Sequence, residues 1–161
     1  MKALAILAMC LMIAPAALAG DGGSRYCEPC TNIIGQISPT PEYQTISGSI
    51  VANGDATYSF CAVGGGSYTF TFCEGGGSAS YDTAMSIQGP DVCGAYLACN
   101  DDFCSLYSQV DFVAPADGTY LVVVDAYSSN AGSFVLAYRG PECAPNPTEN
   151  TTWGAIKSIY R

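Results

Sequence analysis

Residues 56–73 read ATYSFCAVGGGSYTFTFC, and this stretch decides the fold. In its first half Tyr58 and Phe60 alternate with threonine, serine and cysteine. Its second half repeats the pattern with Tyr68, Phe70 and Phe72. Alternation with a period of two, rich in aromatic and β-branched residues, is typical of a strand that buries one face. The stretch therefore predicts two half-buried strands, joined through VGGGS as a glycine-rich hairpin.

The rest of the body extends the same pattern. Further short apolar runs are separated by turn clusters such as GPD, PADG and SSNAG; the runs are TAMSIQ, AYLAC, SQVDFV, GTYLVVVDAY and SFVLAYR. The run YLVVV is apolar on both faces, which predicts a central strand. About eight strands without a helix predict an all-β fold over residues 44–139. We expect a two-sheet antiparallel β-sandwich, jelly-roll-like and stapled by disulfides.

The N-terminus predicts export. Residues 1–19 contain one positive charge, a short apolar run and an Ala-Leu-Ala ending before Gly20, as in a secretory signal peptide. The apolar run is too short for a membrane span. We expect a secreted protein, extracellular or at the cell surface, in which residues 20–43 form a Cys/Pro/Gly-rich leader.

Export determines how the cysteines are interpreted. Losing Cys10 with the signal peptide leaves an even number, which predicts disulfides in an oxidising compartment. A redox or zinc role for Cys27 and Cys30 is less favoured, because they lie in the leader and the chain has no histidine. The eight remaining residues are Cys27, Cys30, Cys61, Cys73, Cys93, Cys99, Cys104 and Cys143.

Their pairing has more than one solution. Cys99 and Cys104 bracket one turn and are candidates for a direct bridge, while Cys73 and Cys93 lie at the ends of neighbouring strands. The remaining four would then tie the leader and the segment after the last strand to the sandwich. A rival pairing joins Cys61 to Cys73, which lie on the same face of the expected hairpin.

Charge excludes several partners. The chain has 5 basic and 14 acidic residues, a formal net charge of −9, and no lysine or arginine between Tyr26 and Tyr138. Nucleic acid and anionic membranes are therefore poor partners. Without histidine, serine or cysteine triads that use it are excluded, and no acidic pair has a recognisable acid/base setting. We expect a protein that is not an enzyme.

Five short motifs, in this order, resemble the bacterial prepeptidase C-terminal (PPC) domain. They are a Tyr-x-Phe strand, an Asp-Thr strand, an Asn-Asp-Asp turn, a Ser-x-aliphatic strand and a Gly-Thr-Tyr strand; here these are residues 58–60, 82–83, 100–102, 108–110 and 118–120. The resemblance covers about residues 44–139. It implies a jelly-roll-like β-sandwich of the kind appended to secreted hydrolases, where it is removed or used for binding.

A second feature is a group of oxygen ligands at strand ends. Asp82 begins one strand, and Asn100, Asp101 and Asp102 follow another, without a nearby counter-charge. Clustered oxygen ligands suit calcium, which takes six to eight oxygens. The alternative is that the aspartates accept hydrogen bonds from main-chain amides of their own turn. The sequence leaves a stapled turn and a calcium site both open.

The tyrosines divide into two groups. Tyr58, Tyr68, Tyr120 and Tyr138 alternate inward in strands and are predicted core residues. A second group falls at strand ends or turns and forms a candidate binding rim; its members are Tyr81, Tyr96, Tyr107 and Tyr127.

The C-terminus is set apart by a Pro-rich linker, residues 140–151. In the tail, residues 152–161, a short helix would place Trp153, Ile156 and either Ile159 or Tyr160 on one face. Lys157 and Arg161 would lie at its C-terminal end, where the helix dipole favours cations. A helix this short needs a surface to pack on. We expect a handle for a secretion or cell-surface docking partner, the alternative being packing on its own sandwich.

These observations predict a secreted, non-catalytic module for adhesion to, or binding of, extracellular polysaccharide or protein. One alternative is a structural subunit of a surface layer or extracellular assembly. The other is a stand-alone accessory domain of a secreted hydrolase.

Overall fold

The computed structural model describes residues 32–89 and 96–143, which form two β-sheets packed face to face. Ten strands are present in these ranges: β1 (Ile33–Ile37), β2 (Gln44–Ile50), β3 (Ala56–Ala62), β4 (Ser67–Thr71), β5 (Ser78–Ala79), β6 (Thr83–Gln88), β7 (Tyr96–Asn100), β8 (Gln109–Val113), β9 (Gly118–Ala126) and β10 (Gly132–Arg139). No helix in them is long and apolar enough to cross a membrane. The predicted β-sandwich is confirmed.

The first sheet has the order β1-β3-β9-β6-β7, and the second has the order β2-β10-β4-β8, with β5 also paired to β10. All pairs are antiparallel except β1 with β3, which is parallel. Strand β9, which contains YLVVV, is central in its sheet as predicted. Its residues are buried from Tyr120 to Ala126, because the strand has neighbours on both sides.

The core between the sheets is aromatic. Phe60, on β3, contacts the rings of Tyr120 on its own sheet and of Tyr68, Phe70 and Phe112 on the opposite sheet. The centroid distances are 4.8 to 6.4 Å, the range in which aromatic pairs are favourable. The four tyrosines predicted to be in the core are all buried. These rings join the two layers.

The predicted hairpin between β3 and β4 is wrong. The two strands belong to different sheets, since β3 pairs with β1 and β9 whereas β4 pairs with β8 and β10. The glycine-rich link is an arch across the end of the sandwich. Gly65 has a φ of +78°, and the main chain at Gly64 lies so close to Ala116 that a Cβ would approach it at 3.1 Å.

The sandwich also extends into the predicted leader. Strand β1 lies before residue 44, where the sequence placed the start of the sandwich, and pairs with β3 from Ile33 to Ile37. Ile37 is buried in the core, and Gly35 lies against the ring of Tyr58. Residues 38–43 carry the chain to β2 in the other sheet.

The disulfides differ from the predicted pairing. Cys73 is bonded to Cys104 and Cys61 to Cys143, with Cα separations of 6.1 and 5.9 Å. A Cys99–Cys104 bridge, a Cys73–Cys93 bridge and a Cys61–Cys73 bridge are therefore all wrong. Cys99 is also in a disulfide. The Cys61–Cys143 bridge ties the segment after β10 to β3, which agrees with the expected attachment of that segment.

Several predicted features lie outside the described residues. These are the signal peptide, the leader cysteines Cys27 and Cys30, Cys93, most of the Pro-rich linker, and the tail with Trp153, Ile156, Lys157, Tyr160 and Arg161.

Candidate functional site: an acidic group at one end of the sandwich

The structure brings three of the four predicted cation ligands together. Asp82 immediately precedes β6, and Asp101 and Asp102 immediately follow β7. Since β6 and β7 are antiparallel neighbours, these two ends meet at the same edge of the sheet. One carboxylate oxygen from each aspartate lies within 4.8 Å of the other two. We call these three residues the acidic trio.

Two buried hydroxyls fix the main chain under the trio. Ser108 Oγ lies 2.7 Å from the main-chain oxygens of both Thr83 and Asp101, and its single proton is donated to one of them at a time. In return, Thr83 Oγ1 accepts a hydrogen bond from the Ser108 amide at 2.8 Å. Thr83 and Ser108 are fully buried. The start of β6, the end of β7 and the start of β8 are thereby held as one unit.

Asn100, the fourth predicted ligand, makes a hydrogen bond to the next strand. Its Oδ1 accepts a hydrogen bond from the main-chain amide of Gln109 at 3.1 Å. The side chain therefore links the end of β7 to the start of β8. Asn100 is a positioning residue for the loop.

The carboxylates of the trio are short of hydrogen-bond donors. Oδ1 of Asp82 and Oδ1 of Asp101 are buried and have no hydrogen-bond partner among the described residues. Burial raises the pKa of Asp101 to about 6, and the charges of Asp102 and then Asp82 add to the increase. The pKa of Asp82 is also raised, by burial first and by Asp102 second. Burial and mutual repulsion therefore oppose the ionisation of Asp82 and Asp101, and a bound cation would offset both effects.

This arrangement does not match the alternative of a turn capped by its own aspartates. Within the described ranges, no main-chain amide donates to the carboxylate of Asp101 or Asp102. Asp117, by contrast, does accept a main-chain amide, because its Oδ1 lies 2.7 Å from the Gly64 nitrogen in the link between β3 and β4. The trio instead presents hard oxygen ligands, two of them buried without a donor, and this donor set suits calcium.

The loop that follows the trio is held by hydrogen bonds and a disulfide, and it displays apolar side chains. The main-chain oxygen of Tyr107 accepts the amides of Phe103 and Cys104, both at 3.0 Å, and Ser105 has a φ of +63°. The disulfide to Cys73 anchors this loop to the chain segment after β4. Even so, more than half of the Phe103 and Leu106 side chains is exposed.

A third exposed apolar residue lies at the same end. The main-chain amide of Tyr127 donates to the main-chain oxygen of Asp82 at 3.0 Å. The main-chain amide of Thr83 likewise donates to the main-chain oxygen of Leu106 at 3.0 Å. Tyr127 is 42% exposed. We call Phe103, Leu106 and Tyr127 the apolar rim. Phe103 follows Asp102 in the chain, and the main chains of Leu106 and Tyr127 are hydrogen-bonded to those of Thr83 and Asp82.

The four tyrosines of the predicted binding rim lie in different surroundings. Tyr81 is 8% exposed and belongs to the core, so its assignment to a rim was wrong. Tyr107 is half-buried and packs against the core. Its main-chain oxygen accepts the two loop amides described above. Tyr96 is exposed but pairs with Gln88, at the opposite end of β6 from Asp82. Of the four, Tyr127 is the residue that lies exposed beside the trio.

Four residues of the candidate site were not identified from the sequence. Thr83 and Ser108 belong to motifs that carried the family resemblance, so a signal for them existed, but a buried hydroxyl gives no periodic pattern. Phe103 and Leu106 gave no such signal, because they flank a cysteine in a loop where apolar residues have no fixed direction.

No known protein family matches the chain by its sequence, and no curated protein matches it. The structure is similar to the pre-peptidase C-terminal domain of a collagenase from Bacillus anthracis. The TM-score is 0.51 at 16% identity, over 68% of this chain and 98% of that domain. It is less similar to PliG of Aeromonas hydrophila, a periplasmic inhibitor of g-type lysozyme, with a TM-score of 0.49 at 19% identity over 66% and 98% of the two chains. The protein therefore has the fold of a pre-peptidase C-terminal domain, as the five sequence motifs implied.

Proposed function

We propose that the protein is a secreted, non-catalytic adhesion module that binds extracellular polysaccharide or protein and is stabilised by calcium. The observation that carries the proposal is the acidic trio, held by the buried Thr83–Ser108 hydrogen bonds and bordered by the exposed apolar rim. Rigid loops that display apolar side chains beside a charged group bind with little loss of conformational entropy.

Calcium fits the trio by the chemistry of its donors. Three carboxylates supply part of the six to eight oxygens that calcium takes. The remaining positions would be filled by main-chain oxygens, water or oxygens of a ligand. A bound divalent cation would also remove the repulsion among the three charges.

The non-catalytic assignment is supported by the side chains available. The chain has no histidine. Within the described ranges Arg139 is the single basic residue, and its guanidinium carbon lies 4.7 Å from the centre of the Tyr43 ring. The acidic trio therefore has no cationic side chain of its own to polarise or clamp a substrate.

Export to an oxidising compartment is supported by the disulfides. Cys61–Cys143 and Cys73–Cys104 join segments that are distant in sequence, and such bridges persist outside the reducing cytosol. Together with the predicted signal peptide, they favour an extracellular or cell-surface protein.

Binding to a glycan and matrix-protein array would test the proposal. We expect at least one ligand class to bind, and the double substitution Phe103→Ser with Leu106→Ser to weaken binding at least about tenfold. Val113→Ser is the matched control, because Val113 is equally apolar and exposed but lies at the far end of β8. No ligand at all, or equal losses in both variants, would contradict the proposal.

The tail, residues 152–161, is proposed as a docking handle for a secretion or cell-surface partner. Two of the chain's five basic residues, Lys157 and Arg161, lie there, opposite in charge to the body. Deleting the tail should leave the melting temperature nearly unchanged and alter surface retention or secretion. A large loss of stability with normal localisation would show that the tail is part of the fold instead.

A further inference from the structure

The outer face of the first sheet is as deeply buried as the core. On β9, Val122 and Val124 belong to the core between the sheets, so Leu121 and Val123 point to the opposite face. Both are only 1% exposed, and they form a separate buried cluster. The second sheet packs on the core side, and no strand in the part of the chain that the structure describes lies over the outer side. Another segment must therefore cover this face.

The covered side chains lie in a row that crosses the whole sheet. Residues opposite one another in neighbouring strands share a face. The register from β1 to β7 places five residues in one such row, namely Ile33, Thr57, Val123, Ser86 and Cys99. The three on the inner strands, Thr57, Val123 and Ser86, are each at most 1% exposed. A segment that follows this row from one edge of the sheet to the other would cover all three.

Cys99, at the far end of the row, restricts what the segment can be. It is in a disulfide, and the other four cysteines in residues 32–89 and 96–143 are bonded to one another. Because Cys10 lies in the predicted signal peptide, the partner of Cys99 is Cys27, Cys30 or Cys93. The C-terminal tail has no cysteine, so it cannot supply this partner.

The length of the chain before β1 matches the width of the sheet. Neighbouring strands are about 4.8 Å apart, so the four steps from β1 to β7 span about 19 Å. Cys27 precedes Ile33 by six residues, which is about 20 Å of extended chain. A segment that turns back from Ile33 over the sheet can therefore bring Cys27 within bonding distance of Cys99.

Cys93 is less suited to this bond. It lies before Tyr96, the first residue of β7, and in an extended strand Tyr96 is already about 10 Å from Cys99. Residues 93–95 would have to fold back along β7 to make the bridge. They would then lie over the edge of the sheet and leave Thr57 and Val123, on β3 and β9, uncovered.

The composition of the segment before β1 also fits the face. Its sequence, GDGGSRYCEPCT for residues 20–31, is rich in glycine, so it can bring main-chain groups close to the sheet. The face has polar side chains that are fully buried, among them Thr57, Ser86 and Gln88, and buried polar groups are paired in native proteins. We propose that residues 20–31 cross the outer face of the first sheet as a strap, locked at its far end by a disulfide between Cys27 and Cys99. The strap makes the leader part of the folded unit and closes this face to other partners.

Peptide mapping of the exported, oxidised full-length protein without reduction tests the bond. We expect Cys99 to be recovered in a disulfide-linked pair with the leader peptide that contains Cys27. Recovery of Cys99 linked to Cys93 would overturn the proposal.

The cover itself can be tested by truncating side chains beneath it. Leu121→Ala should reduce the free energy of unfolding at least about three times as much as Leu97→Ala, the matched control, because Leu97 lies in the same sheet but is 47% exposed. Val123→Ala against Val113→Ala repeats the comparison with a smaller change, and serves if Leu121→Ala does not fold. Equal, small losses within each pair would show that the face is open and would overturn the proposal. None of these results bears on ligand binding at the trio.

Discussion

Replacing Phe60 by alanine should lower the free energy of unfolding by about 3–5 kcal/mol. Phe60 is completely buried and contacts aromatic rings on both sheets, among them Phe70 at a centroid distance of 4.8 Å and Tyr120 at 6.0 Å. Its removal leaves a cavity between the two layers that rigid neighbouring rings cannot fill. Denaturant unfolding of the oxidised protein measures the change.

Phe103→Ala is the matched control, because it makes the same chemical change at a side chain that is more than half exposed. It should change the free energy of unfolding by no more than about 0.5 kcal/mol. Similar losses for the two variants, or a loss below about 1 kcal/mol for Phe60→Ala, would contradict the central place given to Phe60.

The sequence predicted which side chains face the interior, but not which strands are neighbours. Tyr58, Phe60, Tyr68 and Phe70 do face inward, as the alternation requires. Alternation is a property of one strand, however, and it is the same whether the next strand pairs in the same sheet or crosses to the other. The arch between β3 and β4 was therefore read as a hairpin.

Strand β1 was missed for a related reason. Its two consecutive isoleucines are both exposed and one glycine follows them, so the segment shows no alternation. It is a strand because β3 offers it a free edge and the core accepts Ile37. Both conditions depend on tertiary structure.

The disulfide pairing also depended on the tertiary structure, which the sequence pattern does not contain. Cys99 and Cys104 are close in sequence, and this made them candidates for a bridge. Cys73 and Cys104 are 31 residues apart, yet their Cα atoms are 6.1 Å apart because the segment after β4 runs beside the loop before β8. The hydrogen bond from the Phe72 amide to the main-chain oxygen of Ser108, at 3.1 Å, shows this proximity directly.

The site was predicted better than the connections. Residues that end one strand and begin its antiparallel neighbour must be close, so Asp82, Asp101 and Asp102 could be grouped from the sequence. The sequence could not show that Asn100 binds the Gln109 amide, or that Tyr81 is buried. Those outcomes depend on the side-chain direction within the loop.

Replacing Asp101 by asparagine should have opposite effects with and without calcium. In chelator, we expect the variant to be more stable than the wild type. Asparagine has no charge to bury and is not repelled by the carboxylates of Asp102 and Asp82. With calcium, the variant should gain little stability, because a charged ligand has been lost. Glu42→Gln is the control, since Glu42 is exposed and precedes β2 in the other sheet.

The dependence on pH has a definite sign. The pKa of Asp101 in the folded state is about 6, above its ordinary value of 3.8, so the folded protein binds this proton more tightly than the unfolded chain does. In chelator, the contribution of Asp101 to stability should therefore increase as the pH falls from 7 through 6 towards 4. Asp101→Asn should lack this increase, while calcium binding by the wild type should weaken over the same range.

The most direct measurement is the thermal unfolding midpoint during a calcium titration of the wild type, Asp101→Asn and Glu42→Gln. If the acidic trio binds calcium, a free calcium concentration 100-fold above the dissociation constant should stabilise the wild type and Glu42→Gln by about 2.7 kcal/mol. The midpoint of Asp101→Asn should then stay close to its value in chelator. A wild-type midpoint that calcium does not change, or an equal increase in all three proteins, would show that the trio is not a calcium site.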